Sequence, residues 1–458
     1  MFLKGRVSVF TFSIILAFLA FSSCTEDDPV APSPQTLEIS EFIWEHMNNI
    51  YLWKDMIPQN IDRNNEFDPE VLFEKLLFRP TDRWSFITDD YEALVNSFKG
   101  IEKSFGHHFK LFYLPNSTDI AGIVKYVVPD SPADLAGIKR GDMFYKVNGG
   151  NISADNYYEL LFENETYNLS FGEFDQNGNI TATKVKTLNS VVIAENPIFI
   201  NKTIDYDGTK IGYLSYNQFI IDYNNALITA FEKFKNEGVQ DLVLDLRYNP
   251  GGSINAAILL SSMIAPANVA NNKEIYSKLI WNDDIMDYLI EEEGEESSNL
   301  TSKFITPEVN LNLNRIYILI TRNSASASEL VINCLKPYME VILIGSENTT
   351  GKYVGSITID DDEADHGWAM QPIVLKTANA NGISDYADGF EPDYLIEDDF
   401  NAPLGTLDED MLAKSIELIT GKTISDPARI ASTAVPFTIR SFANAQELRK
   451  QTMYIDFD

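Results

Sequence analysis

From residue 191 onward the sequence alternates short, continuously apolar runs with longer amphipathic ones, and this alternation restricts the fold more than any other feature. KIGYLSY (210–216), LVLDL (242–246), RIYILIT (315–321) and VILIG (341–345) read as strands. Between them, IIDYNNALITAFEKFKNEG (220–238), SINAAILLSSMIA (253–265) and SASELVINCLKPY (326–338) read as helices, the first capped near Asp222 and stopped at Gly238. A strand that stays apolar along its length has both faces covered. Joined by helices, such strands imply a largely parallel sheet with helices on either side, an α/β fold. The acidic stretch 282–303, with NDDIMDY and EEEGEESS, reads as a solvated insertion. Cys334 falls on the apolar side of its helix and reads as a small core residue.

Upstream the pattern changes. Residues 101–190 carry short apolar strands broken by Gly, Pro and Asn, among them IAGIVKYVV (120–128). In PDSPADLAGIKRGDMFYKVNG (129–149), Pro132 opens a short helix, Ala133, Leu135 and Ala136 pack it, and Gly137 stops it. Gly141 and Asp142 then turn the chain into a strand ending at Asn148 and Gly149. Residues 38–100 read as a small helical domain: Ile39, Phe42, Ile43, Met47, Ile50 and Trp53 recur at helical spacing, and Asp68 caps a second helix opened by Pro69. His46 reads as a packing or surface residue of the first helix.

The N-terminus has the form of a targeting segment. Lys4 and Arg6 precede an apolar run from Val9 to Phe21, too short to span a bilayer, which needs about 20 residues. Ser22 and Ser23 before Cys24 resemble a bacterial lipobox, which implies a signal peptide (1–23), lipidation at Cys24 and a polar, Pro-rich tether (24–37). Glu26, Asp27 and Asp28 resemble the surface-export signals of Bacteroidetes lipoproteins. The expected location is therefore the bacterial outer membrane, on its periplasmic or outer side, with the membrane reached through the lipid anchor.

Charge and composition narrow the partners. Thirty-five Lys plus Arg against 68 Asp plus Glu leave a net charge of -33, which repels phosphate backbones and makes nucleic acid a poor partner. Two cysteines cannot build a disulfide framework, and four histidines limit any His-based metal site. DDDEADHG (360–367) fails as a calcium loop: with Asp361 first, His366 falls where the turn glycine belongs and Pro372 where the bidentate Glu belongs. No metal or cofactor is expected.

Three segments carry chemistry and should meet at the C-terminal ends of the strands. DLRYNPGG (245–252) presents backbone N–H groups without side-chain bulk, suited to an oxyanion. TRNSASASE (321–329) is a strand-to-helix turn crowded with hydroxyls, and ENTTGKYVG (347–355) places a lysine between glycines. A desolvated lysine can serve as the base for a serine.

In this order, and after a segment that looks like a PDZ domain, these pieces resemble the C-terminal processing (tail-specific) serine peptidases over residues from about 40 to 400. KTANANGISDYADGFEPD (376–393) resembles the strand, turn and closing G-x-x-PD of that family. The resemblance implies a ClpP/crotonase-like peptidase core (191–425) behind an inserted-order PDZ-like β domain (101–190) and the N-terminal helical domain, with a C-terminal extension (426–458). It puts the nucleophile on Ser326, the general base on Lys352 and the oxyanion donors on Ala327 and Gly251, with Gly252 as the alternate to Gly251. Ser324 and Ser328 become turn and cap residues. Tyr353 and Ser356 stand where the family commonly has glycine and glutamine, so Ser356 or Gln371 is expected to orient the lysine. The loop Phe105, Gly106, His107, His108, Phe109 matches the carboxylate-binding loop of PDZ domains, with a histidine in place of one glycine. The implied activity is endopeptidic cleavage of protein tails or unfolded segments through an acyl-enzyme. The alternative is a catalytically weak or inactive peptide-binding surface lipoprotein on the same fold. Nothing in the sequence fixes an oligomeric state.

Overall fold

The computed structural model describes residues 32–62, 66, 68–115, 117–175, 177–361, 366–424, 440–441 and 453–455. The signal segment, Cys24 and the start of the tether lie outside these residues. Among the described residues no helix is long and apolar enough to cross a membrane.

The expected parallel sheet is present. Its six strands run in the order Ile198–Tyr206, Thr209–Tyr216, Asp241–Asp245, Arg315–Ile320, Glu340–Gly345, Tyr394–Leu395, antiparallel at the first pair and parallel thereafter. Alternate residues explain why the strands read as unbroken apolar runs. Leu242, Leu244, Ile316, Ile318 and Ile320 face helices Asn224–Glu237, Ile254–Ile264 and Ala327–Leu335. Val243, Tyr317 and Leu319 face the opposite way, onto Met411, Leu412 and Ile416 of helix Asp410–Thr420. Gly238 ends its helix in the left-handed conformation as expected, whereas Asp222 sits in a 3-10 turn ahead of that helix instead of capping it. Cys334 is buried in the core, where burial pushes its thiol well up.

A second six-stranded sheet, not visible in the hydropathy pattern, lies beside the first. Its order is Gly252–Ser253, Met453–Tyr454, Val354–Ser356, Ile373–Asn379, Ile275–Trp281, Thr301–Lys303. The acidic insertion follows one of these strands as the helix Asp283–Glu293, of which only Leu289 is buried.

The N-terminal region is less separate than its sequence suggests. Helix Pro34–Ile50 starts inside the expected tether, with the Ser33 hydroxyl accepting from Thr36 N at 3.1 Å. Asp68 caps Pro69–Leu76 through Val71 N. These helices do not close a core alone: Ile43, Met47, Leu72, Trp84 and Ile87 share one apolar cluster with Val354, Ile359, Met370 and Ile373. Strand Phe86–Thr88 pairs antiparallel with Ala369–Gln371, which stitches the two regions together.

The PDZ-like module contains the antiparallel ladder His107–Tyr113, Ile120–Val127, Met143–Val147, Thr166–Phe174, Ile180–Asn189. Ser131 caps the short helix Pro132–Leu135 and Gly137 follows it at φ +72, but Leu135 is 80% exposed and does not pack it. The module docks through Arg140. Its guanidinium, 8% exposed, donates to Lys125 O at 2.8 Å and Ala402 O at 3.0 Å and pairs with Asp398. Asp398 also meets Arg247, whose other partners are Asp245 and Glu409, so one buried charge network links the module to the core sheet. Arg140→Ala would leave Asp398 with Arg247 and the Tyr248 hydroxyl, one buried cation fewer. The low end of the usual cost of breaking a buried pair, about 3 kcal/mol, is expected as a lowered urea midpoint, and Arg140→Lys should recover only part of it because the planar fork is lost.

Candidate active site

The three chemistry-bearing segments do converge, and backbone polar groups hold them together. Asn249 O accepts from Ala325 N at 3.1 Å and from Ser328 Oγ at 3.0 Å, while Ser324 Oγ donates to Leu246 O at 2.7 Å. Ser324 is a turn residue as expected, whereas Ser328 lies inside the following helix and ties it to Asn249 instead of capping it. Thr350 N donates to Ser324 O at 3.1 Å, which brings the lysine loop onto the serine turn. The closing G-x-x-PD segment supports that loop: Thr349 Oγ1 accepts from Phe390 N at 2.7 Å, and Asp393 Oδ2 accepts from Leu343 N at 2.8 Å.

Ser326 sits immediately before helix Ala327–Leu335 with φ +62 and ψ -114, a conformation that costs a residue with a Cβ on the order of 1–3 kcal/mol. Its Oγ is buried and accepts or donates no hydrogen bond to a described residue. Its backbone is held by Glu329, a residue read from the sequence only as part of the SASE motif. One Glu329 oxygen accepts from Ser326 N at 2.9 Å and from Lys352 N at 2.8 Å. The other accepts from Gly351 N and Thr349 Oγ1, both at 2.6 Å. Burial raises the Glu329 carboxyl above the ordinary range, and these four donors oppose that shift. A single carboxylate therefore fixes the serine turn to the lysine loop.

Lys352 is 2% exposed, and burial lowers its ammonium to about 7, against the opposing charges of Asp82 and Glu329. Its Nζ lies 5.8 Å from the centroid of the Trp84 ring. Asp82 and Trp84 belong to the N-terminal region and were not anticipated as site residues. Asp82 is fixed by Tyr51 OH at 2.8 Å, Trp84 N at 3.0 Å and Ser85 N at 2.9 Å, and Ser85 Oγ accepts from Ile373 N at 2.8 Å. The run TDRWS (81–85), polar residues between two apolar stretches, was the one available signal. Of the two residues expected to orient the lysine, Ser356 donates from Oγ to Met453 O at 3.2 Å, and Gln371 donates from Nε2 to Thr358 Oγ1.

Of the two glycines expected to serve the oxyanion, Gly251 N donates to Asn249 Oδ1 at 2.8 Å, and Gly252 pairs with Met453. Gly252 has φ +132, and a Cβ there would lie 2.2 Å from Phe219 O, so only glycine fits. Ala327 opens its helix, a position whose N–H has no partner within the helix.

The PDZ-like loop departs from expectation. Phe105 and His107 are buried: the Phe105 and Tyr167 rings lie 3.9 Å apart, and Tyr167 OH is 3.1 Å from His107 Nε2. Burial lowers the His107 imidazole to about 4, so it is neutral at physiological pH. His108, instead of reaching for a ligand, sits 2.9 Å from Glu195 and stacks on Tyr126. Gly106 N donates to Ser104 Oγ at 3.3 Å. No residue with a Cβ, alanine included, could replace Gly106, since a Cβ would fall 2.1 Å from Ser131 Cβ. Phe109, partly buried, lies 5.2 Å from Phe144. Of the five loop residues, His108 and Phe109 have the most accessible surroundings.

A strained serine before a helix, a buried lysine tied to it through one carboxylate and a PDZ-like module define a class, the PDZ-bearing serine peptidase fold. Comparisons agree on the particular family. The peptidase family S41 model matches residues 210–396, its N-terminal domain 38–86, and a PDZ domain 123–165. The solved structure of a "Putative S41 protease" from Bacteroides fragilis is 30% identical, with a TM-score of 0.68, covering 84% of this chain and 98% of that one. The chain belongs to peptidase family S41. It is also 27% identical over 268 residues to a "Probable CtpA-like serine protease" of Staphylococcus aureus, covering 58% of this chain and 48% of that protein. Similarity to a "Carboxyl-terminal-processing protease" of a Picosynechococcus species is 25% over 234 residues, 49% of each chain. The chain thus spans about half the length of the curated relatives it matches.

The lysine's burial has a measurable consequence. The folded chain releases the Lys352 proton near pH 7, whereas the unfolded chain holds it until about 10.5. The unfolded state therefore binds more protons across that window, and stability rises with pH from about 7 to about 10.5. Relative to Lys352→Met, the wild type should gain about 2 kcal/mol between pH 7 and pH 9 in denaturant melts. A difference that stays constant over that range would mean the lysine has its ordinary pKa.

Proposed function

We propose that this protein is a serine endopeptidase of the C-terminal processing type, acting on protein tails or unfolded segments through a Ser-Lys dyad. The observation that carries the reading is the Glu329 carboxylate, which holds the Ser326 and Lys352 backbones on one oxygen, with Ser326 Oγ buried and without a partner among the described residues. In this reading neutral Lys352 takes the Ser326 hydroxyl proton as Oγ attacks the substrate carbonyl carbon. The oxyanion is stabilised by the N–H groups of Ala327 and Gly252, the proton passes from Lys352 to the departing amine, and an acyl-enzyme remains. Water, deprotonated by Lys352, then attacks the ester carbonyl and returns Ser326. Asp82 takes the orienting role first assigned to Ser356 or Gln371, since it is fixed by three donors and its charge bears on the ammonium.

Peptides join the PDZ-like module by strand addition along His107–Tyr113, with His108 and Phe109 as the contacts. With Gly106 N engaged by Ser104, carboxylate capture contributes little. Lipidation at Cys24 anchors the protein to the bacterial outer membrane. The strained Ser326 argues for the enzyme over the binding-only alternative, because nothing in a binding role needs a nucleophile held at positive φ.

A fluorophosphonate serine probe with unfolded casein tests the reading. Labelling and hydrolysis should be lost in Ser326→Ala, with turnover falling roughly ten-thousandfold. Activity should rise with pH through about 7 as Lys352 loses its proton. Lys352→Arg, whose guanidinium stays protonated, should be as inactive as Lys352→Ala. Turnover by Lys352→Arg near the wild-type rate would exclude Lys352 as the base.

A further inference from the structure

Ser326 is 0% exposed and Lys352 2%, although the reading above requires them to meet a polypeptide. The strand Met453–Tyr454 lies between Gly252–Ser253 and Val354–Ser356, the strands next to the oxyanion glycine and the lysine. It runs parallel to both, with Met453 opposite Gly252 and Tyr454 opposite Ser253 and Ser356. Ser356 Oγ donates to Met453 O at 3.2 Å, and Ile455 N donates to Ser356 O at 3.3 Å. We propose that residues 453–455 occupy the groove where a substrate strand binds, and that the peptidase stays latent until an extended segment displaces them. The proposal rests on the peptidase reading and adds to it the site, the occupant and the kind of peptide that fits.

The contacts are those of strand addition, main-chain bonds for affinity and pockets for selectivity. Met453 is 0% exposed, in one apolar cluster with Phe219, Ile254 and Ala327, the residue after the nucleophile. Tyr454 stacks on Phe98 of the N-terminal region with ring centroids 4.5 Å apart. A displacing segment must therefore be extended and carry a flexible apolar side chain followed by an aromatic one. The pairing is only two residues long on the Gly252–Ser253 side and one on the Val354–Ser356 side, and ladders this short are marginal, which suits an occupant that must leave.

The same downstream part of the chain reaches the other peptide site. Arg440–Ser441 pairs antiparallel with the end of His107–Tyr113, opposite Tyr113 and Phe112, on the edge where a PDZ ligand would add. The order differs from that of a captured tail. A tail held by the module at its end would present an upstream bond to Ser326, whereas here the residues on the module's edge precede those in the catalytic groove. The segment thus blocks both sites without lying as a substrate.

An internal occupant raises KM by the ratio of closed to open forms and leaves kcat unchanged. In the full chain, Met453→Asp places a charge in an apolar pocket. With dye-quenched casein, KM should fall about tenfold or more at near-constant kcat, and a synthetic peptide of residues 449–458 should restore the higher KM competitively. Should that variant misfold, the Ser326→Ala chain answers the same question by hydrogen exchange: the Tyr454 and Ile455 amides should lose protection at saturating casein. An unchanged KM in folded Met453→Asp, or full protection of both amides with casein bound, overturns the proposal while leaving the peptidase reading intact. Absence of both hydrolysis and Ser326 labelling in every chain removes that reading and the proposal together.

Discussion

The arrangement of the site depends on one buried carboxylate. Removing Glu329 from water costs several kcal/mol, and only a full set of partners makes that tolerable. The four donors it collects come from two places far apart in the chain: Ser326 on the turn, and Thr349, Gly351 and Lys352 on the lysine loop. Meeting all four requires the lysine loop to pass very close to its neighbour. Gly351 and Gly389 make this possible, since a Cβ on either would lie within 2.0 to 2.1 Å of a backbone oxygen of the other segment. The strained residue is held by the same carboxylate, which accepts from Ser326 N at 2.9 Å.

The lysine introduces a second balance. Full burial alone would push an ammonium far below its usual pKa, and two acids would, unopposed by burial, push it up; the outcome near 7 is a compromise between them. One of the acids, Asp82, comes from the N-terminal region. That gives a reason for the region to share its apolar core with Val354, Met370 and Ile373 instead of forming a detachable module. Without a fixed dock, Asp82 would be a charge at an undefined distance, and the lysine's protonation would follow the motion of the domain.

What could be read from the sequence follows from how local each signal is. The parallel strands were legible because Leu242 to Leu244 and Ile316 to Ile320 are apolar on both faces, and helix punctuation at Asp68, Pro132 and Gly238 needs only its neighbours. The convergence of the serine turn, the lysine loop and the glycine loop was legible because each is a compact motif at the end of a readable strand. The second sheet escaped because two of its strands, Gly252–Ser253 and Met453–Tyr454, are two residues long and pair across about 200 positions, which no periodicity records. Asp82 and Trp84 were missed for the same reason, their importance lying in a partner far along the chain. His107, placed in a ligand-binding loop, is buried against Tyr167, and Leu135, read as packing its helix, is exposed, since sequence pattern alone does not tell which face of a short element is covered.

A groove between two strands is an open pair of edges, and open edges invite pairing. Here the edges beside Gly252 and Ser356 must accept a strand for the proposed chemistry to occur, so they cannot be blunted by proline or by an inward charge. An occupant joined to the same chain solves this problem in a particular way. Its effective concentration is on the order of millimolar, which shuts out loosely bound peptides from solution. A segment tethered at the PDZ-like edge is presented at a comparable concentration and can compete on equal terms. Arg440–Ser441 pairs with that edge as well, so a segment captured at the module meets an occupant from the same chain at both places. Selectivity for segments that can engage both places then follows from the topology, without any need for a tight pocket at either one.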